Sequence, residues 1–136
     1  MKLYTEIIAL CDYATVSREG KLSINGIFDE LRVQNLPGGI ARAFLVATVH
    51  GEPDTSYTLK LAVEHKGKAL NSMNLDTHSS PNGKNNIITE FLNLGFEKEG
   101  DYRFVIYHGD AEVGVTHLKV IHVKPQQPEV TYKLPN

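Results

Sequence analysis

Glu99-Gly100-Asp101-Tyr102 runs into Arg103-Phe104-Val105-Ile106-Tyr107, and His108-Gly109-Asp110 then turns the chain into Ala111-Glu112-Val113-Gly114-Val115. A tyrosine two residues after a glycine, opening an apolar run, fits the tyrosine corner of β-sandwiches, where the phenol folds back onto the backbone of the corner. Tyr102 is therefore expected to be buried, with its hydroxyl bonded to backbone near the preceding corner. Phe104 stands where an antibody domain places its second cysteine, and the chain has no tryptophan. These two features exclude the standard antibody core and leave the sandwich. The apolar phase changes between Val113/Val115 and Leu118/Val120, which predicts a β-bulge near Thr116.

Upstream, Tyr57, Leu59, Leu61 and Val63 alternate with Thr58, Lys60, Ala62 and Glu64, the period of a half-buried strand. His65-Lys66-Gly67-Lys68 turns it into a partner over Ala69–Leu75. Leu59, Leu61, Val63, Phe104 and Ile106 are the expected inward positions of one core. Ala41–His50 reads as a mostly buried strand ended by Gly51-Glu52-Pro53-Asp54, and Ile87–Leu94 as another strand. Between Leu75 and Ile87, the polar stretch Thr77–Asn86 reads as a long, mobile loop. Leu22, Ile24 and Phe28 alternate with polar neighbours after the turn Arg18-Glu19-Gly20-Lys21. Asn25-Gly26 inside that run marks a bulge or a close backbone approach. Pro37-Gly38-Gly39 reads as a loop whose glycines take positive φ. Over Leu3–Ala14 the apolar spacing fits helix or strand; the β-branched Thr5, Ile7, Ile8, Thr15 and Val16 favour strand.

The sum is an all-β chain forming a single two-sheet antiparallel β-sandwich, Ig-like. Residues 1–124 form the domain, and residues 125–136, with Pro125, Pro128 and Pro135, form an extended tail. A length of 136 residues with 41% hydrophobic and 22% charged side chains suits one domain that closes its core unaided. The net charge of −2, with no basic stripe, argues against a nucleic-acid groove. One cysteine makes no internal disulfide. Ile7-Ile8-Ala9-Leu10 is too short for a secretory apolar region, and no run is long enough to span a membrane. The expected location is the cytoplasm.

Several strings resemble a bacterial family of small, uncharacterised β-sandwich proteins: Leu10-Cys11-Asp12-Tyr13-Ala14, Gly20-Lys21-Leu22-Ser23-Ile24-Asn25-Gly26-Ile27-Phe28-Asp29, Leu36-Pro37, Phe96 and Gly100-Asp101-Tyr102-Arg103-Phe104. They cover the first 37 residues and the last hairpin. The resemblance implies an Ig-like sandwich in the cytoplasm and brings neither an activity nor a functional residue with it.

No chemical motif outweighs its ordinary structural reading. His108, His117 and His122 lie near Asp110, but no two of the six histidines have the i, i+2 spacing that puts two ligands on one strand face. Cys11 in an apolar run reads as a small buried hydrophobe rather than a nucleophile. Asp12 beside Tyr13, and Asp29 beside Glu30, point to opposite faces of a strand. Asp54 and Asp76 stand alone in polar stretches, without the clustered oxygens of a calcium site. Pro37-Gly38-Gly39 lacks the Lys-Ser/Thr and the helix of a phosphate loop. Tyr4, Tyr13, Tyr57, Tyr107 and Tyr132 have no arginine-lined channel in which to stack bases. Catalytic, cofactor-binding and metal residues are therefore expected to be none, and no cofactor is expected. The expected role is a non-catalytic binding or protein-interaction module with a protein partner, no nucleic acid and no membrane. The second reading is an accessory or structural homo-oligomer, and an enzyme of unrecognised type is the third. A large apolar surface patch would favour the oligomer, and a concave pocket the binder.

Overall fold

The computed structural model describes residues 2–124, and the tail expected over 125–136 lies outside them. The described chain is all β: β1 (Tyr4–Val16), β2 (Leu22–Phe28), β3 (Glu30–Val33), β4 (Gly38–His50), β5 (Ser56–His65), β6 (Lys68–His78), β7 (Lys84–Phe96), β8 (Gly100–His108) and β9 (Ala111–His122). They form a four-stranded sheet in the order β2-β1-β4-β7 and a five-stranded sheet in the order β3-β9-β8-β5-β6. The two make a β-sandwich. The N-terminal stretch is strand, as its β-branched residues favour.

All pairs are antiparallel except β3 with β9. That exception has a simple origin. The chain leaves the first sheet after Phe28, turns at Asp29, and enters the second sheet beside a strand already running the same way. The Asp29 carbonyl accepts the Lys119 N–H at 2.8 Å, which fixes the switch.

The core is where the alternation puts it. Leu59, Leu61, Val63, Phe104 and Ile106 share one buried cluster with Leu10, Leu45, Val49, Phe96, Tyr102, Leu118 and Val120. Phe104 meets Phe91 of the opposite sheet edge-on, at 5.8 Å between ring centroids. An aromatic contact thus joins the sheets at the position where an antibody domain has a disulfide. Tyr102 is 1% exposed, and its hydroxyl donates to the Lys98 carbonyl at 2.5 Å. Its ring lies between Phe96 (4.7 Å) and His65 (4.3 Å, nearly parallel). The tyrosine corner is present.

Three expectations need correction. Gly38 and Gly39 are not loop residues with positive φ; they open β4, opposite Phe96 and Gly95. What they supply is room. A Cβ on Gly39 would lie 2.0 Å from the Leu94 carbonyl oxygen, and one on Gly38 2.2 Å from that of Asn35. The bulge in the last hairpin is at Val113 rather than near Thr116. Ile106 pairs with Gly114 and Tyr107 with Glu112, so Val113 is the extra residue and the phase changes there. Gly114 follows because a Cβ would meet Thr5 Oγ1 at 2.6 Å. The long loop shrinks to five residues, 79–83, because β6 and β7 extend further than their apolar residues show. It is pinned, not loose. Ser79 is fully buried, its N–H donates to Thr55 O (3.0 Å) and its hydroxyl to Glu52 O (2.5 Å). Gly26, by contrast, is the close approach expected: it has φ +70, and a Cβ would collide with the Asp12 carboxylate.

Two outcomes follow for stability. Leu61→Ala removes a side chain that is 1% exposed and should cost about 2–5 kcal/mol in denaturant melts. Tyr102→Phe should cost about 1 kcal/mol at neutral pH by loss of one hydrogen bond. Burial, chiefly, raises the Tyr102 phenol above its usual value. A raised folded pKa favours the protonated form, so its contribution is complete below about pH 10 and is lost as pH climbs through the folded value. The wild-type melting temperature should therefore fall more steeply above pH 10 than that of Tyr102→Phe, and parallel curves would refute the assignment.

Candidate functional site

The two sheets are unequal, and the surplus strand makes the site. Phe91 and Phe96 of β7 pack on Phe104 and Tyr102 of β8, so the last strand of the four-stranded sheet lies over β8. Beyond β8 the five-stranded sheet continues through β5 to β6. By register, Asn71, Met73 and Leu75 sit opposite the inward Val63, Leu61 and Leu59, and so face the interior side of the sandwich. No strand among the described residues lies over β6. Met73 is 39% exposed although it faces inward.

A cleft of about 710 Å³ occupies this open side. Val63, Leu70, Asn71, Phe91, Leu94 and Phe96 line it, and Lys66, Lys68, Lys98 and Glu97 stand around them. Leu70 is the residue the bulge between Val63 and Glu64 leaves without a partner, and it is 53% exposed. β7 borders the cleft as an edge strand, so one side of its backbone has no neighbour in the sheet. Asn93 has φ +54, which bends this edge beside Leu94. His65, also on the lining, is buried; its Nδ1 donates to the Asp101 carbonyl at 3.0 Å, and its Nε2 has no partner among the described residues.

The densest ionic group lies on the outer side of β5, β8 and β9. Arg103 donates to Glu64 (3.1 Å) and to Glu112 (2.6 Å), and the Tyr107 hydroxyl donates to the other Glu64 oxygen (2.5 Å). The hydrogen bond to Glu64 raises the Tyr107 phenol, and the one to Glu112 raises the Arg103 guanidinium. Lys60 sits over the Tyr107 ring at 5.1 Å. Sequence reasoning missed this group because its members come from three strands. Both Glu64 oxygens are engaged, and the set reads as a structural ladder.

The residues weighed for chemistry stay apart. His108 packs edge-on against Tyr57, His117 is opposite Arg103, and His122 lies 3.2 Å from the Gln34 carbonyl. Among the described residues no three His, Cys, Asp or Glu side chains gather as a metal set. Cys11 is fully buried, and burial, aided by nearby Asp12, pushes its thiol up. Thr58 donates to Asp76 at 2.8 Å, and Asp54 approaches His78 at 3.9 Å. Asp12 lies over Gly26. Tyr4 stacks on His50, and Tyr13 meets Phe44 edge-on at 5.5 Å between ring centroids. Tyr132 lies outside the described residues. No helix among them is long and apolar enough to cross a membrane.

Solved structures share the fold at low identity. An immunoglobulin-like protein from Pseudomonas aeruginosa is 12% identical with a TM-score of 0.51, over 88% of this chain and 97% of that one. A β-glucosidase from Listeria innocua, solved in complex with glucose, is 8% identical with a TM-score of 0.51, over 90% of this chain but 16% of its own. These likenesses establish the sandwich and nothing about activity. No curated protein matches the sequence. A family model does, over residues 6–121, and by that match the chain belongs to DUF6941, a family of unknown function.

Proposed function

We propose that the protein is a non-catalytic interaction module that takes an extended segment of a partner protein into the slot beside β7. The observation that carries this reading is the missing fifth strand: the inward side of β6 has no opposing strand, and the adjoining edge of β7 is free. A strand added to β7 would continue the four-stranded sheet and cover β6. Strand addition of this kind takes its affinity from main-chain hydrogen bonds and its specificity from alternate side chains. Here alternate apolar side chains would meet Val63, Met73 and Leu75. Three lysines against one glutamate around the cleft favour acidic residues flanking that apolar core. The ionic ladder around Glu64, both of whose carboxylate oxygens are already bonded, supports a binding role over a catalytic one. A fully buried lone cysteine suits a reducing compartment such as the cytoplasm.

The probe is a synthetic peptide of alternating valine and threonine with glutamates at both ends. It should slow amide hydrogen exchange along the outer edge of β7. Met73→Lys, which places a charge on the partly exposed inward side of β6 that the added strand would cover, should weaken its binding at least tenfold without lowering the melting temperature. Protection appearing elsewhere, or binding indifferent to Met73→Lys, would remove the slot as the site.

A further inference from the structure

β4 is apolar on both faces. Ala43 to Val49 are all buried, with Leu45, Ala47 and Val49 in the main core and Phe44 and Val46 in a second cluster with Cys11. A strand with one solvated face alternates, and a continuous apolar run belongs to strands covered on both sides. The inner side of the four-stranded sheet is covered by the other sheet. No element among the described residues lies across its outer side.

Register defines that outer side. Ile27, Cys11, Phe44 and Glu90 form one row across the four strands, and the pairs Asn25 with Tyr13 and Arg42 with Leu92 come next. On the other side of the first row lie Ala9, Val46 and Ile88, then Ile7, Thr48 and Asn86, then, at the margin, Tyr4, His50 and Lys84. Ile27 is 66% exposed, Leu92 65%, Tyr4 60% and Tyr13 47%. Several polar groups of the face bond to one another. Arg42 donates to Glu90 at 2.7 Å, Thr48 to Asn86 at 2.8 Å, and His50 meets Glu6 at 2.6 Å.

We infer that this face is a two-fold interface between two copies of the chain. Charge decides between a copy and a different protein. An isologous contact brings each patch onto itself, so any net charge on it repels. Here the one guanidinium in the middle rows is neutralised by its cross-strand carboxylate, and what remains in them is uncharged and mostly apolar. An acidic or basic partner would have nothing to answer it. Size agrees. From Arg42 to His50 the face is roughly 27 Å long at about 3.4 Å per residue, and four strands about 4.8 Å apart make it roughly 19 Å wide. Two such footprints come to roughly 1,000 Å², where specific interfaces begin. Two sheets packed face to face, about 10 Å apart and crossed by about 30°, would interdigitate Ile27, Tyr13 and Leu92 with their mates. The cleft beside β6 lies between the sheets and stays open in such a dimer.

Sedimentation velocity over a concentration series of the full chain tests this directly. The wild type should pass from monomer to dimer as concentration rises. Ile27→Asp and, separately, Leu92→Lys should each raise the dissociation constant at least tenfold while leaving the circular dichroism spectrum unchanged. Both side chains are about two-thirds exposed, so neither change disturbs the core. Met73→Lys, on the inward side of β6, should leave the dimer intact, which separates this interface from the binding reading above. A wild type that stays monomeric up to about 1 mM overturns the inference, and so does a dimer that neither Ile27→Asp nor Leu92→Lys weakens.

Discussion

The hydrogen bond from the Tyr102 hydroxyl to the Lys98 carbonyl holds the one crossing that the rest of the sandwich depends on. Between Phe96 and Gly100 the chain passes from the four-stranded sheet to the five-stranded one. A crossing this short leaves backbone groups without sheet partners, and a buried carbonyl without a donor is costly. Tyr102 supplies the donor from the first turn of the next strand, and its ring fills the space under the crossing between Phe96 and His65. Gly100, with φ +130, lets the chain turn there; a Cβ would lie 3.0 Å from the His65 ring. Once the crossing is set, Phe91 and Phe104 are brought face to edge, and the register of β7 over β8 follows.

That placement also fixes the open side. Because β7 is held over β8, two further strands extend past the end of its sheet, and four strands cannot cover five. The inward face of β6 is left with polar Asn71 beside apolar Met73 and Leu75, a compromise between a core strand and a solvated one. Edge strands invite uncontrolled pairing, and proteins blunt them with charge, bends and bulges. β6 carries Lys68, Ser72, Asn74 and Asp76 and a bulge at Leu70. β7 is bent by Asn93 with its positive φ. The edge bordering the cleft is thus restricted but not closed, which is what selective strand capture requires and wholesale aggregation does not.

Much of the fold was legible in the sequence, for local reasons. Period-two alternation marked β5, turns at Lys66-Gly67 and Gly109-Asp110 marked the hairpins, and the Gly100-Asp101-Tyr102 string marked the corner. What was not legible is non-local. Pro37-Gly38-Gly39 looks like a turn because glycine commonly serves there; its real duty is to admit the Leu94 and Asn35 carbonyls, which only the register of β4 against β7 reveals. The phase change near the C-terminus showed that a bulge exists, but Val113, Val115 and Thr116 are each compatible with either face, so its position waited on pairing with Tyr107. Thr77–Asn86 looked loose because hydrogen bonding, not apolarity, orders it through Ser79. The cleft has no signature at all, since it is a difference in strand count between two sheets.

The same reasoning explains why the chemically suggestive residues led nowhere while the surface did. Chemistry needs side chains from different strands to converge on free space. Here the converging set, Glu64 with Arg103 and Tyr107, satisfies itself, and Cys11 is sealed beneath Tyr13, Phe44 and their neighbours with its thiol held protonated by burial. Such closure spends the polar groups on the fold and leaves nothing directed at a substrate. The apolar groups are not closed in the same way. Val46 and Cys11 cluster with Ala14, Phe44, Leu22, Ile24 and Ile88, while Ile7, Tyr13 and Ile27 on the same sheet remain exposed. A run like Phe44–Val49 therefore encodes two buried faces while the single chain supplies one opposing sheet. A second copy laid on that face, as inferred above, would cover the apolar side chains that the single chain leaves exposed.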